Sequence, residues 1–366
     1  MDGFLLAQPG GSVRTTGTLR AFDDAWRAAA ALREGAAELI VGAIPFDPGD
    51  PAALCEPERA LHSAGAWRPA AVPPLPEVRV ITEIPSPAEH MARVTKLVEQ
   101  LSDPAQPLRK VVAARSVIAA ADDALDAEVA AAHLLVRHPL ANVFAVDLTP
   151  AGRTGAALIG ATPEVLVARH GDTVTLRPLA GTLPRHPDPA VDAERSRELL
   201  SSGKNRDEHA FVIEWIREQL TPVCADLTIP DGPELLDTAE VWHLATPITG
   251  RLRDPATTAL DLALLLHPTP AVCGTPTELA LRTIADIEEP RGFYGGAVGW
   301  CDARGDGEWV VAIRCAELSA DGRTVHAYGG GGIVAASDPR TELDETTAKL
   351  RTLLHGLSCS VPDRPR

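Results

Sequence analysis

Three glutamates and a lysine occupy the positions along this chain where oxygen and amine chemistry is most readily placed. Glu208 is followed at spacings of three, four and seven by Phe211, Val212 and Trp215, which puts a carboxylate on the apolar face of a helix. An inward carboxylate is costly without compensation, and either an ion pair with Arg206 or a distant lysine, or a bound cation, would supply it. A second helix opens on ASDPRTE, with Asp338 as cap and Pro339 in the first turn. Glu342, Glu345 and Lys349 then fall on one side of it, together with Leu353. Taken alone, that side could be a solvated salt-bridge face. Two acidic helices together offer the hard oxygen donors that magnesium prefers.

Just upstream of the second helix, YGGGGIV carries Gly329 to Gly332 in succession. Such a run either lets backbone amides approach an anionic oxygen closely, because no side chain intervenes, or is simply a flexible turn. It is not a nucleotide motif, since neither G-x-G-x-x-G nor a following Lys-Ser/Thr pair is present. The strand-like VVAIRCAEL places Arg314 in an apolar setting, where its guanidinium requires a carboxylate, either internal or from a ligand.

The elements that must position these groups are legible in part. AALIGATPEVLVARHGDTVTLRPLAGTL alternates as strands do, with a tight turn at His170, Gly171 and Asp172. Helical periodicity is clearest in AVDAERSRELLSSGKNRDEHAFVIEWIREQL, AEVAAAHLLVRH and PRTELDETTAKLRTLLHGL. Groups of strands separated by long helices predict an α+β class: one large α/β sandwich of mostly antiparallel sheets flanked by helices. Residues 1–358 are expected to form a single domain and 359–366 a flexible tail, with a Pro-rich connection near residues 68–87.

The chain has 366 residues and a formal net charge of -16 with no broad basic field, which argues against nucleic acid or an anionic membrane surface as partner. A small polyanionic ligand would need locally placed cations. The N-terminal MDGFLLAQPGG lacks a basic start and its apolar stretch is too short for a signal segment, so a cytoplasmic location is expected. Cys55, Cys224, Cys273, Cys301, Cys315 and Cys359 include no C-x-x-C pair and read as buried free thiols. With no coiled coil, a monomer is the default.

Nine ordered stretches carry a family resemblance: RKVVAARS, IGATPEVLVAR, RPLAGTLPR, NRDEH, VWHLATPITG, LLHPTPAVCGTPTE, RGFYGGAVGW, GEWVVAIRCAEL and YGGGGIVAASDPRTELDETTAKL. In this order they resemble the chorismate-utilising enzymes, and with VGAIPFDPGDPA the likeness leans to the isochorismate synthases of catechol siderophore pathways. It runs from about Phe4 to Leu357. The resemblance implies one large α/β sandwich, a magnesium ion and chorismate as substrate. Water-using members share a lysine at the position of Lys110, whereas ammonia-using members lack it. Aminodeoxychorismate synthases commonly carry a lysine where this chain has Ala180, and salicylate synthases depart from the wording of Trp242 to Pro247.

These comparisons favour isochorismate as the released product, for menaquinone, siderophore or salicylate-derived pathways and possible hand-over to an isochorismate-consuming enzyme. A salicylate synthase and a non-catalytic chorismate-binding member are the rival readings. The resemblance makes Lys110 the general base, which must be neutral to take a proton from water, and Glu164 the general acid, which must be protonated when substrate binds. It makes Glu208 and Glu345 magnesium ligands, with Glu342 nearby or acting through water. Arg314, Tyr294, Lys349 and the amides of Gly330 and Gly332 would hold the substrate's carboxylates. Gly181 and Thr182 would contact substrate near the metal, and His243 would orient the site. One departure stands out: relatives show Ser-Glu/Asp-Lys-Asp where this chain reads Ser202, Gly203, Lys204, Asn205. The missing negative charge is expected to raise the magnesium requirement.

Overall fold

The computed structural model describes residues 1–360 apart from 68, 70, 71 and 239. Its strands form one large sheet and a separate three-stranded one built from Leu179–Pro184, Val241–Ala245 and Glu234–Asp237. Every described pairing is antiparallel except that of Cys359 and Ser360 with Val78 and Arg79. The alternation of side chains along the strands shows how the large sheet makes layers. Phe4 and Leu6 join Val41, Phe144 and Val310 in a cluster drawn almost entirely from strands. Their neighbours Leu5 and Ala7 face the other way, against helices Ala127–Arg137 and Pro339–Gly356. Ile40, beside Val41, faces a third cluster that includes the helices Pro87–Ser102, Gly203–Leu220 and Ala259–Leu266. A strand-only layer between two helix-covered faces is a sandwich of sheets flanked by helices, as predicted. Each fully buried Phe or Leu in it contributes roughly 1.5–3 kcal/mol.

Several local readings change. The long helical stretch divides at Ser202 into Pro189–Ser201 and Gly203–Leu220. The Ser202 side chain accepts from the Asn205 amide and caps the second helix, so the chain turns where periodicity alone would continue. That helix buries Asn205, Glu208, His209, Val212, Ile216 and Leu220, while Phe211 and Trp215 are only half-buried. The glycine run is not a turn: Gly329 to Gly332 lie within the strand Thr324–Ile333, paired along Lys110–Ala121. The Pro-rich stretch contains a strand, Val78–Ile84, paired with that same Lys110 strand. The tail drawn from 359 starts too early, because Cys359 and Ser360 pair in the sheet; 361–366 lie outside the described residues. All six cysteines are buried free thiols.

Candidate active site

The site lies where the Lys110 strand and the glycine strand run side by side, between the helices Gly203–Leu220 and Pro339–Gly356. Lys110 opens its strand and is fully buried. Glu164 sits in the link between strands Ala157–Thr162 and Val165–His170, also buried, and its Oε1 accepts the Leu179 amide at 3.2 Å. Burial pushes the Glu164 carboxyl up to about 7, despite the opposing effect of the Leu179 amide and of Arg314, Lys110 and Lys349.

Arg314 occupies a break between strands Gly307–Val311 and Cys315–Leu318 rather than a continuous strand. Its φ of 52° is in the left-handed region that non-glycine residues rarely adopt. The turn of the backbone aims a buried guanidinium inward, where it lies 3.2 Å from His243 Nε2. A guanidinium only donates, so Nε2 accepts and the His243 proton resides on Nδ1, which donates to Thr182 Oγ1 at 2.9 Å. Burial and the neighbouring Arg314 and Lys349 keep that imidazole neutral. Thr182 follows Gly181, whose φ of 81° accompanies a register shift in its strand.

Ten of the predicted residues line one inner cavity: Glu164, Gly181, Thr182, Glu208, His243, Tyr294, Arg314, Gly330, Gly332 and Lys349. The other three do not line it: Lys110 and Glu345 are each paired to a lining residue, whereas Glu342 is paired to Lys204, which lies outside the lining. Lys110 Nζ is 3.2 Å from Glu208, close enough for an ion pair but without an aligned hydrogen bond. Glu345 accepts from Lys349 at 2.6 Å, and Glu342 accepts from Lys204 at 2.6 Å. The face carrying Glu342 and Glu345 is therefore buried and not a solvated salt-bridge face.

Burial alone would raise the Glu208 carboxyl, but Lys110, Lys204 and Lys349 hold it below the ordinary carboxylate range. Glu342 is raised to about 7 by burial and by the charge of Glu345, with Lys204 acting against both. Four basic side chains (Lys110, Lys204, Lys349 and Arg314) thus meet four carboxyl groups, and burial raises two of these, Glu164 and Glu342, to about 7. The balance favours an anionic ligand. The inner cavity measures only about 40 Å³, so a ring-sized ligand requires these side chains to move apart.

Whether the glutamates suit a divalent ion is answered by their own contacts. Among the described residues no three His, Cys, Asp or Glu side chains form a ready metal cage. Yet Glu342 Oε2 is buried with no hydrogen-bond partner, and a Cβ on Gly331 would lie 3.1 Å from it and 3.5 Å from Glu345 Oε1. Two carboxylate oxygens from one helix thus converge over a glycine. The donor set is all oxygen. The residues fit a hard divalent ion.

A side chain at 332 would crowd the Lys110–Glu208 pair. A Cβ there would lie 2.1 Å from Glu208 Oε1 and 2.8 Å from Lys110 Cε. We expect Gly332→Ala to lower kcat about 100-fold by displacing that pair, with a stability loss of about 1–3 kcal/mol. Steady-state kinetics and thermal denaturation check both; wild-type turnover would contradict the crowding.

Sequence reasoning did not single out two polar residues. Lys204 is the partner of Glu342, at a sequence separation of 138. His209 lies buried beside Glu208 and joins the helix to the small sheet: Nδ1 donates to the Ala180 carbonyl at 3.1 Å, and Nε2 accepts from Thr246 Oγ1 at 2.7 Å. The NRDEH stretch that carries the resemblance contains His209, and Lys204 falls just before it, but neither residue's partner is near in sequence.

A sandwich of antiparallel sheets closing over buried lysine, arginine and glutamate is the architecture of a known class, and the chain belongs to the chorismate-binding enzymes, whose family description matches residues 55–358. Within that class it is 51% identical to a Mycobacterium tuberculosis protein provisionally named isochorismate synthase MenF, over 97% of this chain and 95% of that one. It is 41% identical to the isochorismate synthase DhbC of Bacillus subtilis, over 87% and 80% of the two chains. The crystal structure of a Bacillus anthracis DhbC, provisionally described as a 2,3-dihydroxybenzoate-specific isochorismate synthase, superposes with a TM-score of 0.89 at 36% identity, covering 98% of this chain and 97% of that one.

Proposed function

We propose that this chain is an isochorismate synthase, with residues 1–360 acting as one catalytic domain on chorismate in the cytoplasm. The observation that carries the reading is a buried glutamate, its carboxyl pushed up to about 7 by burial, on the wall of a cation-rich cavity, with the fully buried Lys110 paired to Glu208 of that same wall. The reaction adds water at C2 of the ring while the C4 hydroxyl leaves and the double bonds shift. Lys110, as a neutral amine, takes the proton from water; Glu164 gives its proton to the departing hydroxyl. Arg314 and Tyr294, with Lys349 and the Gly330 and Gly332 backbone, hold the carboxylates, and the Thr182–His243 pair fixes the guanidinium.

Magnesium, held by Glu208 and Glu345 with Glu342 nearby, would neutralise a substrate carboxylate. Glu208, which would help hold that ion, is also the ion-pair partner of Lys110, so the same carboxylate positions the amine. Chorismate is the partner this reading requires. A monomer and hand-over to an isochorismate-consuming enzyme accompany it. No helix among the described residues is long and apolar enough to cross a membrane. The test is incubation of purified protein with chorismate and magnesium: isochorismate supports the reading, and an unchanged substrate refutes it.

Asn205 marks this chain's own setting of the metal site. It is buried one turn before Glu208, its Nδ2 donating to Ser202 Oγ at 2.9 Å and its Oδ1 without a partner. An aspartate there would add a negative charge beside the carboxylates. We expect Asn205→Asp to tighten magnesium about tenfold, measured by calorimetry on the substrate-free protein. Unchanged or weaker affinity would show that position 205 does not tune the ion.

A further inference from the structure

Outside the inner cavity lies a larger, open space of about 900 Å³, and the two share Arg314. Pro163 and Ala348, the immediate neighbours of Glu164 and Lys349, form part of its wall. Its charge is contrary to that of the protein. Five arginines line it against three carboxylates, in a chain whose net charge is -16. Asp237 is engaged by Arg185 and Glu240 by His355. Arg137, Arg177 and Arg351 are exposed and have no ion-pair or hydrogen-bond partner among the described residues. They come from the last turn of one helix, the link before the Leu179 strand, and the middle of the C-terminal helix. Convergence of three unpaired guanidinium groups from separate elements on one concavity raises the local concentration of anions that the rest of the surface repels.

We propose that this space is an arginine vestibule: an outer site where Arg137, Arg177 and Arg351 capture the dicarboxylate before it passes Arg314 into the inner cavity. This role rests on the reading of chorismate as substrate. The three outer arginines touch no reacting atom. They act on encounter, so their removal lowers kcat/KM and leaves kcat in place.

The test compares the wild type with Arg137→Gln/Arg177→Gln/Arg351→Gln, and with a control that loses the same charge at exposed positions outside the cavity, Arg27→Gln/Arg59→Gln/Arg217→Gln. At low ionic strength the vestibule triple should lose about tenfold in kcat/KM at constant kcat. The control should lose much less. The gap between them should close as salt is raised to about 0.5 M, and the three lysine replacements should recover most of the loss. A vestibule triple that matches the control, or one whose kcat falls as far as its kcat/KM, overturns the vestibule while leaving the activity standing. If the wild type itself fails to turn over chorismate, both fall together.

Discussion

Lys110→Ala should lose about 10²–10⁴-fold in kcat with chorismate, the range that a positioned proton acceptor contributes. The side chain is fully buried and, among the described residues, has no aligned hydrogen bond and only Glu208 within ion-pair distance. Such an amine is poorly justified as a structural element, since a buried charge in a single imperfect pair recovers little of its desolvation cost. Its removal leaves Glu208 still facing Lys204 and Lys349, so the fold should persist. Magnesium should bind the variant at least as tightly as the wild type, because a competing positive charge beside Glu208 has gone. Rate measurements paired with calorimetric titration separate this from a structural lesion. Turnover at the wild-type rate would refute the assignment of Lys110 as base.

Glu164→Gln should have an effect of similar size, about 10²–10⁴-fold, for the opposite reason. The amide keeps the shape and can still accept from the Leu179 amide, but it cannot hand over a proton. The pH dependence adds an independent readout. Burial raises the carboxyl from its ordinary 4.5 to about 7, so the proton needed for the leaving hydroxyl is present below that pH and is lost as pH rises through it. Wild-type kcat/KM should therefore decline above about pH 7 on this limb, and the residual activity of Glu164→Gln should lack that decline. A variant that keeps the wild-type alkaline limb would assign the titration to another group.

How much of this was open to reading in the sequence follows from the range of the forces involved. The C-terminal helix was legible because its signals are local: Asp338 accepts from the Thr341 amide, and Pro339 occupies the first turn. The His170–Asp172 turn was legible for the same reason, with Gly171 at a φ of 62° between paired strands. The glycine run misled because local glycine content signals flexibility, whereas here the glycines are demanded by what lies across the sheet: Tyr294 at Gly330 and the Lys110–Glu208 pair at Gly332. Arg314 was expected on a strand, but it sits at a left-handed φ of 52° between two strands, and strand periodicity carries no trace of that break. The lysine partners of the three glutamates were only partly visible. Lys349 lies one turn from Glu345, whereas Lys110 and Lys204 reach Glu208 and Glu342 across the fold. The outer arginines are invisible to any motif, since three separate elements bring them together.

The most direct test of the central claim is the fate of solvent oxygen. Chorismate incubated with the protein and magnesium in ¹⁸O-labelled water should yield isochorismate bearing one solvent oxygen, with neither salicylate nor an aminated product when ammonium is added. Salicylate with pyruvate, an amino product, or isochorismate without the label would contradict water addition at this site.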